Sequence, residues 1–180
     1  TQVIGTTSAG KTESVILPWA IRDMETGSGL LMIDGKSDRS FLDKIYAYAV
    51  KSGREKHFRL FSFSEISKST PFNPLTGGSV TEVCERVFSS FTFENEYYRN
   101  VQYKVLQLIL SVIQKAKRVP TFKLVHSLLN NPDQLKRMSD DSKDEGLQNQ
   151  VRAFLKESPR DRAEKLSGLE AAVSHFATGE

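Results

Sequence analysis

Residues 5–12 of this sequence are Gly5-Thr6-Thr7-Ser8-Ala9-Gly10-Lys11-Thr12. They match G-x-x-x-x-G-K-[ST], the pattern of a phosphate-binding loop or Walker A motif, whose glycines let successive backbone N–H groups point at phosphate oxygens. In such a loop Lys11 neutralises the β- and γ-phosphates, and the Thr12 hydroxyl binds magnesium. The pattern predicts that residues 5–13, from Gly5 to Glu13, bind ATP with Mg²⁺. Lys11 and Thr12 are the predicted catalytic residues, and Thr12 is the predicted metal ligand. A glycine turn without a ligand is the plain alternative.

The segments that follow the loop predict alternating strands and helices. The apolar run at 30–33 is typical of a buried strand, and 2–4 and 59–63 are also predicted to be strands. Residues 11–25 and 40–52 carry apolar side chains at helical spacing. Pro18 lies inside the first of these helices and is expected to kink it. Strands alternating with helices indicate a parallel sheet, whose ligands bind at the carboxyl ends of its strands. Residues 1–78 are therefore predicted to be part of a RecA-like P-loop nucleotide-binding domain of the α/β class.

Asp34 follows the apolar run at 30–33 and is a candidate residue of the nucleotide site. An apolar strand that ends in an acid resembles a Walker B motif. In the RecA-like arrangement, however, the strand directly after the phosphate-loop helix usually lies away from the strand that carries the magnesium acid. We therefore favour a supporting or helix-capping role for Asp34, and direct magnesium contact is the alternative. Asp38 is a candidate N-cap of the next helix.

From Ser79 onward the sequence predicts helices alone. Ser79 and Glu82 have the spacing of a capping box. The longest predicted helix, at 95–118, places one set of apolar residues on one face, namely Tyr97, Val101, Val105, Leu106, Ile109 and Ile113. Pro120-Thr121 and Asn131-Pro132 separate further helices, and two more are predicted at 148–157 and 162–176. Residues 79–178 are predicted to form an all-α domain.

Composition limits the possible functions less sharply than the motifs do. The chain has 180 residues, 38% of them hydrophobic, and its formal net charge of +3 comes from intermixed signs, so bulk charge predicts no affinity for nucleic acid. Cys84 is the one cysteine, and the three histidines lack the spacing of metal ligands. No apolar run is long enough to cross a membrane. Because Thr1 is not an initiator methionine, we expect a longer protein.

Three stretches resemble the type IV secretion and conjugation coupling proteins of the TraG/TraD type, which are relatives of the FtsK/HerA DNA pumps. They are the phosphate loop with Glu13, residues 31–38 with the order Leu-Met-Ile-Asp-Gly-Lys-x-Asp, and Phe72-Asn73-Pro74-Leu75. In that family an asparagine–proline–leucine turn precedes an inserted all-helical domain, and Leu166-Ser167-Gly168-Leu169 resembles the return from it. Gly35 stands where proline is usual, a feature of the branch with DotL-like and TrbC-like proteins. Ser8-Ala9 replaces the family's glycine–serine.

The resemblance implies a membrane-anchored, homo-hexameric ATPase at the cytoplasmic face of the bacterial inner membrane. It would recruit DNA–relaxase complexes or effector proteins and act with the inner-membrane components of a type IV secretion channel. The family's main Walker B strand, sensor residues and arginine finger are expected outside this sequence, so the chain by itself is expected not to hydrolyse ATP. Two other functions stay open. One is a P-loop kinase or phosphotransferase with Asp34 as its magnesium acid, and the other is a helical substrate-binding module with an incomplete nucleotide site.

Overall fold

The computed structural model describes residues 2–4, 6, 9–92 and 95–177. Contacts divide the chain into two compact units, Thr1–Pro71 and Phe72–Glu180. Eight α-helices lie in the described residues: α1 Leu17–Glu25, α2 Arg39–Lys51, α3 Val80–Ser89, α4 Glu96–Lys115, α5 Phe122–Asn130, α6 Pro132–Asp140, α7 Glu145–Leu155 and α8 Pro159–Ala177. None of these helices is both long and apolar enough to cross a membrane.

The first unit is built around α1 and α2. A π-helical turn at Thr12–Ile16 leads into α1, and Pro18 lies in the first turn of that helix, where its missing N–H is tolerated. After α2, Gly53 has a φ of +70°, and the Arg54 N–H closes the helix end on the Ala49 carbonyl at 2.8 Å. These observations confirm the helices predicted at 11–25 and 40–52. The buried side chains shared by the two helices are Leu17, Ala20, Met24, Phe41, Ile45 and Ala49.

The predicted parallel sheet is wrong. No β-strand occurs in the described residues, and the segments 2–4, 30–33 and 59–63 have no regular structure. Leu31 and Ile33 are 86% and 91% exposed, so the apolar run at 30–33 is not a buried strand. A strand needs a neighbouring strand to take up its backbone hydrogen bonds, and an apolar run cannot supply that neighbour.

The segment 59–63 shows where its backbone hydrogen bonds go instead. The Leu60 carbonyl accepts the Thr70 N–H at 2.7 Å, and the Ser62 N–H donates to the Ser69 hydroxyl at 2.9 Å. The Ser69 hydroxyl in turn donates to the Ser62 carbonyl at 2.9 Å. Local side-chain bonds of this kind compete with strand pairing, so the segment closes a short loop rather than joining a sheet.

The second unit is a helical bundle in which α4 contributes most to the core. On α4, Val105, Leu106, Ile109 and Ile113 are buried as predicted, whereas Tyr97 is 63% exposed, which corrects its placement on the buried face. The capping box predicted at Ser79 is present: the Ser79 N–H donates to Glu82 Oε2 at 2.6 Å, and the Glu82 N–H donates to Ser79 Oγ at 3.3 Å. The side chains of Asn95, Thr121, Asn131 and Asp144 cap the following helices.

The Asn-Pro-Leu turn is an anchor of the second unit. The Asn73 amide donates to the Pro120 carbonyl at 2.8 Å, and its Oδ1 accepts the Leu75 N–H at 3.0 Å. Leu75 itself is buried in the helical core. Arg86 of α3 holds the turn from the other side by donating to the Pro74 carbonyl at 2.5 Å. The second unit thus begins at Phe72, before the predicted boundary at residue 78, and the roles assigned to the two parts stay predictions.

Candidate functional site

The phosphate-loop candidate lies directly before the π-helical turn. Gly5, Thr7 and Ser8 lie outside the described residues, so the description rests on the other members of the motif. Gly10 has a φ of +75°, in the left-handed region that favours glycine. The Gly10 carbonyl accepts the Ser14 N–H at 2.8 Å and so begins the helical turn. The helix expected after the loop is confirmed, and the strand expected before it, at 2–4, is wrong.

Lys11 is held against its own loop. Its Nζ donates to the Thr6 carbonyl at 2.6 Å, and the Ala9 N–H donates to the same carbonyl at 3.3 Å. The Thr6 carbonyl therefore connects the start of the loop to Ala9 and Lys11 at its end. The ammonium group lies where the loop closes on itself.

Thr12 and Glu13 begin the helical turn and have different surroundings. Thr12 is the first residue of the turn and is exposed, so its hydroxyl is accessible to a ligand. The Glu13 carboxylate accepts a hydrogen bond from Lys44 of α2 at 2.6 Å, and this ion pair joins the two helices of the first unit. The exposed start of a helix carries partial positive charge, which favours an anion beside Thr12.

Asp34 forms a local turn with the residues that lead into α2. Its Oδ1 accepts the Lys36 N–H at 3.0 Å, and its Oδ2 accepts the Asp38 N–H at 2.7 Å. The hydrogen bonds from Asp38 and then Lys36 hold the pKa of the Asp34 carboxyl below its ordinary value, because they stabilise the charged form. Asp38 in turn accepts the Phe41 N–H at 3.2 Å, which is the N-cap predicted from the sequence.

Thr12 and Asp34 line the same cleft of the first unit, which has a volume of about 490 Å³. The structure therefore brings together two residues that the sequence assigned to one site. The full lining is Thr12, Ile16, Trp19, Ala20, Asp23, Leu30, Leu31, Met32, Ile33, Asp34, Lys36, Asp38 and Phe41. The sequence analysis missed Trp19 and Asp23, although their spacing from Thr12 and Ile16 places them on one helix face.

The cleft offers oxygen donors suited to a hard cation. Thr12 supplies a hydroxyl, and Asp23, Asp34 and Asp38 supply carboxylates, whereas Lys36 is the one cation of the lining. No group of three or more His, Cys, Asp or Glu residues in the described part of the chain is arranged to hold a metal ion. The Thr12 hydroxyl and these carboxylates are oxygen ligands of the kind that Mg²⁺ prefers, and metal binding by Thr12 stays a prediction.

Comparison with known proteins gives one partial likeness. Over 97 residues, 48% of this chain, the sequence is 29% identical to the type 4 coupling protein DotL of Legionella pneumophila subsp. pneumophila, strain Philadelphia 1. The aligned part spans 12% of that protein. No known sequence family and no solved structure matches the chain. The likeness supports the resemblance to coupling proteins over about half of the chain.

Proposed function

We propose that this chain binds ATP with Mg²⁺ through residues 5–12 and belongs to an ATPase that acts as a coupling protein in type IV secretion. The observation that carries the proposal is the closed loop, in which Lys11 Nζ lies 2.6 Å from the Thr6 carbonyl and the following residue begins a helix. The partial likeness to DotL, named a type 4 coupling protein, supports the second half of the proposal.

Lys11 is the residue expected to respond first to a phosphate group. Its ammonium now bonds to a neutral carbonyl of the loop. A phosphate oxygen carries negative charge and adds an attraction to the ammonium that the neutral Thr6 carbonyl lacks, so a phosphate competes with this carbonyl for Lys11. The exchange also frees the Thr6 carbonyl without moving the backbone of Gly10, whose positive φ already shapes the turn.

The other loop residues bind and orient the ligand. Thr12 presents its hydroxyl at the start of the helical turn, where the helix dipole adds partial positive charge. Glu13 stays bonded to Lys44 and so keeps the start of the turn fixed against α2. Bound ATP supplies the phosphoryl group whose transfer to water would drive transport in the whole protein.

The wider role is proposed for a longer protein. The aligned half of this chain covers 12% of DotL, so the activity of a whole coupling protein is proposed only for a longer protein. We extend to that protein the hexameric assembly, the membrane anchor at the cytoplasmic face of the inner membrane, and the recruitment of DNA–relaxase complexes or effector proteins. These extensions rest on the coupling-protein motifs of the sequence.

The test is a titration of the chain with a fluorescent ATP analogue in the presence of Mg²⁺. Lys11→Ala is expected to weaken binding about 10- to 100-fold, because it removes a charged hydrogen bond of about 1.5–3 kcal/mol. Lys56→Ala is the matched control, since Lys56 is an exposed lysine outside the loop and the cleft, and it is expected to bind normally.

Two outcomes would refute nucleotide binding at this loop. One is equal affinity of the Lys11 and Lys56 variants, and the other is a lack of saturable binding by the unchanged chain. The coupling role is tested separately, by measuring secretion in cells that carry the longer protein with Lys11→Ala. Normal secretion by a stably expressed variant would contradict it.

A further inference from the structure

A second concave site lies wholly within the helical unit, at the end of α4. It has a volume of about 590 Å³, within the usual range of ligand pockets, which is roughly 300–1,000 Å³. It is lined by Lys117, Arg118, Val119, Leu124, Gln134 and Met138, which come from the α4–α5 connection, α5 and α6. None of these residues belongs to the phosphate loop or to the cleft beside it, so this site is independent of nucleotide binding.

The pocket brings two cations together with no acid in its lining. Lys117 and Arg118 are exposed and form no ion pair with a described residue. Lys115, two residues earlier, is instead paired with Asp144 at 2.9 Å. A pair of neighbouring cations without a carboxylate partner favours an anionic ligand.

The other walls are apolar, with one amide. Val119 is 66% exposed, although it is a large apolar residue, and Leu124 and Met138 are half-buried beside it. Gln134 accepts the Ser127 hydroxyl at 2.7 Å through its Oε1, which leaves the amide Nε2 as a donor. The site therefore matches a ligand that carries a negative charge next to an apolar group.

The backbone of Lys117 has a conformation that is uncommon for a lysine. Lys117 ends α4 with a φ of +53°, and the Arg118 N–H donates to the Ile113 carbonyl at 3.1 Å, as in a Schellman motif. Glycine is the usual residue at this position, because the left-handed region is unfavourable for a residue with a side chain. A lysine at this position is thus less favourable for the backbone than a glycine would be.

We infer that this pocket binds a segment of a partner protein in which an acidic residue stands next to a large apolar residue. The carboxylate bonds to Lys117 and Arg118, and the apolar side chain packs on Val119 and Met138. A nucleic-acid strand would satisfy the two cations and leave the apolar wall unmatched. The composition of the pocket therefore favours a peptide over nucleic acid.

The experiment uses the whole chain and short fluorescein-labelled peptides, with fluorescence polarisation as the measurement. A peptide of alternating glutamate and leucine is expected to bind, and peptides of glutamate and serine or of lysine and leucine are expected to bind at least about 10-fold more weakly. Lys117→Gly and Arg118→Gln are each expected to lower the affinity for the glutamate–leucine peptide about 10-fold or more.

Lys143→Gly is the matched control. Lys143 also has a left-handed backbone, with a φ of +55°, but it does not line the pocket. Both glycine variants are expected to raise the melting temperature, because each relieves the same backbone strain. Only Lys117→Gly is expected to lose peptide affinity, which separates a binding role from a structural one.

Three results would overturn the inference. They are a lack of saturable binding of the glutamate–leucine peptide at about 1 mM, equal peptide affinity of the Lys117→Gly and Lys143→Gly variants, and equal or tighter binding of a deoxythymidine oligonucleotide. The last result would assign the pocket to nucleic acid.

Discussion

Replacing Gly168 of α8 with alanine tests how tightly α8 packs against α4. A Cβ at Gly168 would lie 3.2 Å from both the Nε2 and the Oε1 of Gln102 on α4. Gln102 is 3% exposed, and its Nε2 donates to the Lys165 carbonyl at 2.8 Å. Its Oε1 is buried without a hydrogen-bond partner among the described residues. Gly168→Ala therefore requires a buried amide to move.

The expected loss of stability follows from two opposing terms. Alanine in place of glycine inside a helix stabilises by about 1 kcal/mol. The Gln102 amide must shift by a few tenths of an ångström, which strains its bond to Lys165, and full loss of that bond would leave a buried donor unsatisfied at a cost of about 1–3 kcal/mol. We expect Gly168→Ala to lower the free energy of unfolding of the second unit by up to about 2 kcal/mol.

Gly146 of α7 supplies the matched control. A Cβ there would meet only Asp144 Oδ1, at 3.5 Å, which is an ordinary contact. Gly146→Ala is therefore expected to gain up to about 1 kcal/mol from helix propensity. In a Gln102→Ala background, Gly168→Ala should likewise become stabilising, because the clash is removed.

The assay is denaturant unfolding followed by two signals. Far-UV circular dichroism reports mainly on α3 to α8, which contain most of the helical residues, whereas the fluorescence of Trp19, the single tryptophan, reports on the first unit. Only the dichroism transition is expected to shift. If Gly168→Ala stabilised the protein as much as Gly146→Ala, the argument from the Gln102 contact would be wrong.

The first unit and the start of the second give three further expected results. Asp34→Asn should weaken Mg²⁺-dependent ATP binding less than Thr12→Ala does, because backbone N–H groups already bond to both Asp34 oxygens. A larger loss of ATP affinity for Asp34→Asn would favour the kinase-like alternative. Because the folded-state pKa of Asp34 lies below its ordinary value of 3.8, its contribution to stability is present above that value and is lost as the pH falls through the folded pKa. Asp34→Asn should therefore flatten the pH dependence of Trp19-detected unfolding below about pH 4, and an unchanged pH profile would count against the two backbone bonds. Ser79→Ala should lower the unfolding free energy of the second unit by about 1 kcal/mol, because it removes the N-cap. The control is Ser167→Ala, at an exposed position of α8, which should change that free energy by less than about 0.5 kcal/mol. Denaturant titration measures both values.

The presence of the helices and several of their N-terminal caps were determined by the sequence alone. The capping box at Ser79 and Glu82 and the N-cap at Asp38 are both present in the structure. Each of these signals acts between residues at most five positions apart, through hydrogen bonds within one turn of chain. A short window of sequence therefore contains both partners of each interaction.

The candidate site was predicted in part. The loop pattern anticipated the helical turn at Thr12, but it did not anticipate that Lys11 would bond to the Thr6 carbonyl. The sequence assigned Thr12 and Asp34 to one nucleotide site, and both residues line one cleft, although they are well separated along the chain. The packing of α1 against α2 sets that arrangement, and it depends on side chains from both helices.

The absence of a sheet in the described residues was decided only by the tertiary structure. The run at 30–33 is wholly apolar and 59–63 contains three large apolar residues, yet Leu31 and Ile33 are exposed and the hydrogen bonds of 60–62 go to Ser69 and Thr70. A helix takes its backbone hydrogen bonds from its own next turn, so apolar periodicity is enough to predict it. A strand makes its backbone hydrogen bonds to another strand, and a local sequence pattern does not show whether a second strand lies beside it.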